Sequence, residues 1–194
     1  MTEDRDRTKP SAPAKLTKAD DRTAFESGAA ELDDWLEKYS WQNQRANNAT
    51  TYVSTVDGRV VGYYAITVAG YERSAAPEEV AKKAPQPIPC FLLARLAIDL
   101  EWQGRGLGWG LLRDALHRVL TLSQSVAAPA LLVHARDDAA RAFYLHHAEF
   151  LQSPVDPLHL FLPMKTIAAA FQNLPDQVLP SPDTGPSGLS TEQA

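Results

Sequence analysis

The sequence is poor in the features that mark several large classes of protein. It holds a single cysteine, Cys90, which excludes an internal disulfide and a cysteine-rich metal site. It has no apolar run of about 18 residues, the length that a membrane-spanning helix needs. Residues 1–15 are charged and lack the apolar core of a secretory signal. We therefore expect a cytoplasmic protein with no metal site.

The sequence also lacks the basic excess that is common among nucleic-acid-binding proteins. Between Lys15 and Lys165 it has 16 Lys and Arg against 18 Asp and Glu, a net charge of −2. Any binding of RNA must therefore depend on a local group of basic residues. The composition is otherwise ordinary for a globular domain, with 44% hydrophobic and 22% charged residues.

Both ends of the chain lack an apolar pattern. Residues 1–14 mix charges with prolines, and residues 172–194 place prolines among Ser, Gly and Asp. Such segments bury too little apolar surface to fold alone. We expect two disordered extensions, 1–14 and 172–194, on either side of one folded domain at 15–168.

Residue patterns between the two ends predict a mixed sheet flanked by helices, an α/β (α+β) fold. Helical spacing predicts helices over Ala29–Ala46, 77–83, 107–122 and Asp138–His147. β-rich runs predict strands over Thr50–Val56, Arg59–Val68, Phe91–Leu100 and Ala130–Ala135, with closing strands between Phe150 and Met164. Asp57-Gly58 predicts a hairpin turn between the first two strands.

A glycine-rich turn, Gln103-Gly104-Arg105-Gly106-Leu107-Gly108, lies between a predicted strand and a predicted helix. Glycine lets backbone amides approach a ligand closely, and the free N–H groups at a helix start bind phosphate oxygens. We predict a phosphate site here, with Gln103 and Arg105 as side-chain donors. The turn lacks the Gly-Lys-Ser/Thr of a Walker A loop and the spacing of a dinucleotide fingerprint. A tight helix entry without a ligand is the alternative.

The turn resembles the Arg/Gln-x-x-Gly-x-Gly/Ala motif of the GCN5-related N-acetyltransferases, the GNAT family. Asp138 to Tyr144 resembles the family's Asn-x-Ala-x-x-x-Tyr helix, with Asp138 in place of Asn. The resemblance implies a mostly antiparallel sheet, acetyl-CoA as cosubstrate and its pyrophosphate at residues 103–108. It also implies that Leu96, Ala97 and Ile98 offer backbone groups to the pantetheine arm. Asp138 then adds a polar contact, and Tyr144 protonates the leaving sulfur.

Two other interpretations concern aromatic and imidazole side chains. Phe143 and Tyr144 fit equally a core aromatic pair on an amphipathic helix. His134 lies within an apolar strand, where a histidine is more often a hydrogen-bonded core residue than a catalytic one. No general base follows from the sequence; a water chain to Asp99 or Glu101 is one candidate.

Stretches outside these motifs resemble the acetyltransferase toxins of bacterial toxin–antitoxin pairs. They are residues 25–28, 32–36, 61–65, 94–99, 132–135 and 160–164. The resemblance implies acetylation of the α-amine of aminoacyl-tRNA, a small DNA-binding antitoxin as partner, and a possible homodimer. The candidate tRNA-binding residues are Arg73, Lys82, Lys83, Arg95, Arg136 and Arg141. A small-molecule or peptide amine as acceptor, and a catalytically silent binding module, remain as alternatives.

Overall fold

The computed structural model describes residues 9–172. Residues 1–8 of the predicted extension and residues 173–194 of the predicted tail lie outside the described residues. A seven-stranded sheet in the order β1-β2-β3-β4-β5-β7-β6 forms the centre of the fold. Its strands are β1 (Ala14–Lys15), β2 (Thr50–Val56), β3 (Arg59–Tyr71), β4 (Ile88–Ile98), β5 (Ala130–His134), β6 (Leu151–Gln152) and β7 (His159–Pro163). Every neighbouring pair is antiparallel except the parallel pair β4 and β5, which confirms the mixed, mostly antiparallel sheet.

Helices cover both faces of this sheet, as the sequence predicts. They are α1 (Ala30–Asp34), α2 (Ser40–Arg45), α3 (Glu78–Ala81), α4 (Leu107–Ser123), α5 (Asp138–His147) and α6 (Met164–Gln172). One core joins α4, α5 and α6 to one face of the sheet. On the other face, the segment from α1 to α2 covers β2 and β3, while α3 covers β4, β5 and β7. We call this second face the α1–α3 face. Within residues 9–172, no helix has the length and apolar character needed to cross a membrane.

The predicted hairpin between β2 and β3 is confirmed. Asp57 and Gly58 both have positive φ, 50° and 80°, as a two-residue turn that follows the strand twist requires. β3 continues three residues beyond the predicted end and reaches Tyr71. Sheet contacts also begin inside the stretch predicted as an extension, because the Ser11 amide donates to the Thr55 carbonyl over 2.9 Å.

The first predicted helix, Ala29–Ala46, is interrupted by a π-helical turn at Trp35–Tyr39. Such a turn takes in an extra residue and so rotates the buried side of the helix. As a result Ser40 is fully buried, and Tyr39, which the 3.6-residue spacing places on the apolar side, is 52% exposed. The sequence pattern did not reveal this change of period.

The chain also forms a helix, α6, between the predicted closing strands and the predicted tail, where no element was predicted. Its apolar residues Met164, Ile167 and Phe171 follow a helical spacing and pack against the core on the α4 side. The predicted strand Phe91–Leu100 is displaced to Ile88–Ile98. The chain leaves the strand at Asp99 because the Asp99 side chain accepts the amide of Glu101 and starts a 3-10 turn.

Strands β4 and β5 separate halfway along their length, and this opening positions the site. They pair only at Phe91–Leu93 with Leu131–Val133. At Ala94 a bulge shifts the register of β4 on β3, after which β4 continues to Ile98. Residues 94–98 therefore have no strand partner on their β5 side among the described residues.

Candidate active site

The glycine-rich turn presents unpaired backbone amides to open space. Gly104 and Gly106 have φ of 71° and 82°, a conformation that favours glycine, and Gly106 is the N-terminal cap of α4. No side chain caps the first amides of α4. A Cβ built at Gly104, Gly106 or Gly110 meets nothing within 4 Å. The geometry fits a phosphate group that accepts from the helix N-terminus.

The Gln103 side chain does not extend toward this space, so its donor role stays a prediction without support from this geometry. Its Nε2 donates to the Ser27 carbonyl over 2.9 Å and to the Ile98 carbonyl over 3.0 Å. These bonds use both hydrogens of the amide group. Gln103 therefore ties the turn to the end of β4. Arg105 is exposed, and its guanidinium lies 5.0 Å from the centre of the Trp102 ring.

A buried carboxylate, Asp99, fixes the chain just before the turn. It accepts from Arg59 Nη2 over 2.9 Å, from the Glu26 amide over 3.2 Å and from the Glu101 amide over 3.1 Å. The Asp99 side chain is only 2% exposed. Because its oxygens already bind three donors, Asp99 holds the loop in place and is a poor candidate for the end of a proton-accepting water chain.

The unpartnered edge of β4 begins beside the turn and leads into the sheet. On their other edge Leu96, Ala97 and Ile98 pair with Tyr64, Tyr63 and Gly62. Backbone groups of residues 94–98 that face the opening are thus free to bind an extended ligand as a further strand would. Five residues of strand span about 16 Å. The contacts predicted between these residues and pantetheine stay a prediction, and the open edge supports them.

Helices α4 and α5 pack closely beside the opening because Gly108 lacks a side chain. A Cβ at Gly108 would lie 3.3 Å from Cε2 of Phe143. Of the two tryptophans that flank the turn, Trp109 stacks on His147 with ring centres 5.0 Å apart. Gly108 thus serves helix packing, whereas Gly104 and Gly106 shape the turn itself.

Tyr144 projects from α5 into the core on the α4 side of the sheet. It is 6% exposed and belongs to the same buried cluster as Leu93 and Val133, the last paired residues of β4 and β5. Its ring meets the edges of Phe143 and Phe150, with centres 5.3 Å and 5.6 Å apart. Burial raises the pKa of Tyr144 well above its ordinary value, so the hydroxyl stays protonated at neutral pH.

Asp137, rather than Asp138, stabilises the start of α5. Asp137 is the N-terminal cap, and its carboxylate accepts the Ala140 amide over 2.8 Å. This bond lowers the pKa of Asp137. The Asp138 side chain is 86% exposed and lies 3.6 Å from Arg141 Nη2. The polar contact predicted for Asp138 therefore concerns a solvent-facing carboxylate.

Two of the six basic candidates lie beside the π-helical turn on the α1–α3 face. The Arg95 guanidinium lies 4.5 Å from the centre of the Trp35 ring, a cation–π contact. Arg136 Nη1 lies 3.4 Å from Glu31 of α1, and its Nη2 lies 2.9 Å from Asp137. The structure therefore brings Arg95 and Arg136 to the same helical segment.

The other candidates are more dispersed. Arg73 Nη1 donates to the Ala84 carbonyl over 3.2 Å and so closes the connection between β3 and β4. Lys82 and Lys83 are exposed in that connection. Arg141 lies on α5, and its buried Nε has no hydrogen-bond partner among the described residues. Binding of tRNA by these six residues stays a prediction.

A cluster on the α1–α3 face was missed by the sequence patterns. His134 is exposed rather than a core residue, and it stacks on His159 with ring centres 4.0 Å apart. Tyr71 Oη and His159 Nδ1 are hydrogen-bonded at 2.9 Å, and His159 Nε2 lies 3.4 Å from Asp156 Oδ2. The pairing of β5 with β7 places the two histidines opposite each other, which no local spacing reveals. Within residues 9–172 no group of three or more His, Cys, Asp or Glu residues is arranged to hold a metal ion.

Comparison with known proteins gives one consistent result. Residues 47–147 match the model of the acetyltransferase (GNAT) domain. The chain is 46% identical over 159 residues to the tRNA-acetylating toxin of Mycobacterium tuberculosis, covering 82% of this chain and 95% of that protein. The toxin AtaT in complex with acetyl-methionyl-tRNAfMet superposes with a TM-score of 0.74 at 31% identity, covering 82% of this chain and 98% of that one. A mutant of AtaT bound to acetyl-CoA and the C-terminus of the antitoxin AtaR gives 0.71 at 29% identity, with 83% and 97% covered.

The glycine-rich turn, the opening between β4 and β5 and the match of more than half of the chain define the class. This chain belongs to the GNAT family of acetyltransferases. It is an acyltransferase that uses acetyl-CoA as the acetyl donor, and the open cradle at Gly104 and Gly106 fits the pyrophosphate of that donor.

Proposed function

We propose that this acetyltransferase acetylates the α-amine of the amino acid carried by tRNA, and that it acts in the cytoplasm as the toxin of a toxin–antitoxin pair. The observation that carries the proposal is the 46% identity to a tRNA-acetylating toxin over 82% of the chain. The similarity of fold to AtaT bound to acetyl-methionyl-tRNA supports the same acceptor.

The donor end of the reaction depends on the turn and on β4. Amides at the start of α4 bind the pyrophosphate, and residues 94–98 bind the extended arm along the open edge of the strand. Acetyl-CoA supplies an activated acetyl thioester when bound. The chain aligns that thioester with the acceptor, so a reaction between two molecules becomes one within a complex.

Tyr144 acts at the leaving sulfur. As the amine nitrogen bonds to the acetyl carbon, the carbon–sulfur bond breaks and the sulfur needs a proton. The Tyr144 hydroxyl is buried in the core that also contains Leu93 and Val133, the last paired residues of β4 and β5, and that burial holds it protonated. The core packing of Tyr144 is compatible with this role, because only its hydroxyl takes part in the chemistry.

The phosphates of a tRNA acceptor are negatively charged, and their binding requires basic residues near the opening. Because the domain as a whole is weakly acidic, these residues must form a local group. Arg95 and Arg136 beside α1 and the π-helical turn are the first candidates, because both lie on the α1–α3 face. Arg73, Lys82 and Lys83 extend the same face along the connection between β3 and β4. A small DNA-binding antitoxin is part of the proposal through the similarity to AtaT bound to its antitoxin AtaR and to KacTA bound to DNA. The homodimer stays a prediction.

The slight excess of acidic over basic residues favours a second candidate acceptor, a small-molecule or peptide amine. Incubation with labelled acetyl-CoA separates the two. The acceptors are a pool of aminoacyl-tRNAs, the same pool after deacylation, the pool with its α-amines blocked, and a panel of free amino acids, polyamines and peptides. Label on charged tRNA, absent from the deacylated and blocked pools, supports the proposal. Label on small amines alone refutes the tRNA acceptor and leaves the acetyltransferase assignment intact.

A further inference from the structure

The stacked pair of His134 and His159 lies at the point where the sheet opens. Val133 is the last residue of β5 that pairs with β4, and His134 follows it directly. Side chains alternate between the two faces along a strand. Val133 packs in the core on the α4 side, whereas His134 stacks against His159 on the α1–α3 face. His134 and Tyr144 therefore lie on opposite faces of the sheet.

The reacting end of the donor has to reach this same point. The phosphate site lies just past Ile98, and the free edge of β4 runs from there back to Ala94. An extended arm along that edge covers about 16 Å and ends beside the last paired residues, Leu93 and Val133. The next residue on the β5 side is His134. An acceptor on the α1–α3 face thus meets the thioester next to an exposed imidazole.

The surroundings of the pair leave His134 free and hold His159 in place. His159 bonds to Tyr71 through Nδ1 and approaches Asp156 through Nε2, so both of its ring nitrogens are engaged. No described residue hydrogen-bonds to His134, whose ring is fixed by stacking alone. Partial desolvation of the exposed ring by its stacking neighbours, followed by the nearby His159, lowers the pKa of His134, while Asp156 acts in the opposite sense. The imidazole is therefore neutral at pH 7 and able to accept a proton.

Other charged groups near His134 are paired with each other. Tyr71 on β3, His159 on β7 and Asp156 before β7 are the titratable groups that face its ring. In the loop that follows β5, Arg136 is engaged by Asp137 and by Glu31. An incoming amine is thus the group that would bring a new proton to His134.

We propose that His134 is the general base of the transfer and takes the proton of the attacking amine. The amine nitrogen bonds to the acetyl carbon and gives one proton to a ring nitrogen of His134. The carbon–sulfur bond breaks, and the sulfur receives the Tyr144 proton. His134 then releases its proton to water, and Tyr144 regains one, so both side chains return to their starting forms. His159 positions the base and lies outside the proton path. The proposal deepens the function proposed above by naming the residue that acts on its acceptor.

The test is the pH dependence of acetyl transfer, measured on the acceptor that the wild-type protein uses. We expect His134→Ala to lose about 100-fold in kcat/KM at pH 7, with KM for acetyl-CoA unchanged. The low-pH inflection of the wild-type profile should disappear, and added imidazole should restore part of the rate because His134 is exposed. His134→Gln keeps the side-chain bulk and should show the same loss of inflection. His117→Ala, which removes a half-buried imidazole packed on Phe171 far along α4, should retain the wild-type profile.

His159→Gln separates a positioning role from a catalytic one. Because His159 lowers the pKa of His134, its removal should shift the low-pH inflection upward while the inflection persists. A wild-type profile in both His134 variants, or a loss of rate that imidazole fails to rescue in His134→Ala, would overturn the proposal. If charged tRNA takes no label and a small amine does, the proposed acceptor fails. The pH profiles of the wild type and the His134 variants, measured with that amine as acceptor, still decide the role of His134.

Discussion

Arg59 and Asp99 form an ion pair of 2.9 Å directly before the glycine-rich turn. The pair joins the start of β3 to the end of β4, and the same carboxylate holds the Glu26 amide. Three chain segments that are distant in sequence thus meet at Asp99. The glycine-rich turn owes its position to this buried contact.

Asp99→Ala should therefore weaken both the fold and the donor site. Removal of one partner from a buried, hydrogen-bonded charge pair costs about 3–5 kcal/mol, and partial exposure of Arg59 reduces this to about 2 kcal/mol. Urea denaturation measures the loss, and calorimetry with acetyl-CoA measures the weaker binding. Glu101→Gln is the matched control, since its carboxylate lies 3.3 Å from the same Arg59 but is 69% exposed. Equal stability of both variants would contradict the anchoring role.

The left-handed conformation of Gly106 leads to a second prediction. Gly106→Ala introduces a Cβ at φ +82°, which costs about 1–2 kcal/mol, and places it in the open space before α4. We expect that stability loss together with at least a tenfold weaker binding of acetyl-CoA. Gly58→Ala carries the same strain at φ +80° in the β2–β3 hairpin, also with nothing within 4 Å. It should lose similar stability and keep full affinity. Unchanged affinity in Gly106→Ala would place the donor elsewhere.

Much of this fold follows from sequence because local rules specify it. The turn at Asp57-Gly58, the long amphipathic α4 and the glycines before it each have a signature within a few residues. The features that the sequence patterns did not predict depend on contacts between residues that are distant along the chain. The His134–His159 stack arises from the register of β5 on β7. The Gln103 side-chain amide donates to the carbonyl of Ser27, which lies in a remote segment of the chain. The π-helical turn was equally hidden, since tertiary packing of Ser40 overrides a regular period.

Tyr144→Phe removes one hydroxyl without changing the packing of the ring. If that hydroxyl protonates the sulfur, kcat should fall by about 100-fold or more while acetyl-CoA still binds. Because burial raises the pKa of Tyr144, the wild-type rate should show no loss from its ionisation up to about pH 10, its ordinary value. Tyr63→Phe is the control: its buried hydroxyl donates to the Leu32 carbonyl over 2.8 Å, so its removal should affect stability and leave kcat unchanged. Comparable kcat values in the two variants would exclude the acid role.

Recognition of tRNA through the α1–α3 face predicts a salt-dependent effect at Arg95. Arg95→Gln removes a cation that stacks on Trp35 beside the opening. KM for aminoacyl-tRNA should rise several-fold, and the slope of log(kcat/KM) against log salt should become shallower by about 0.7–0.9, the value of one phosphate contact. Steady-state kinetics between low and moderate salt measure both quantities.

The control for Arg95 is a cation on the helical segment that Arg95 contacts. Lys38 is exposed and lies 2.6 Å from Asp34, so Lys38→Gln should leave the salt slope as it is. Acetylation of a small amine separates binding from chemistry, because such an acceptor carries no phosphate. A contact to phosphate requires that Arg95→Gln impair only the tRNA reaction. If both reactions slow equally and the salt slope is unchanged, Arg95 supports the packing of Trp35 rather than the binding of tRNA.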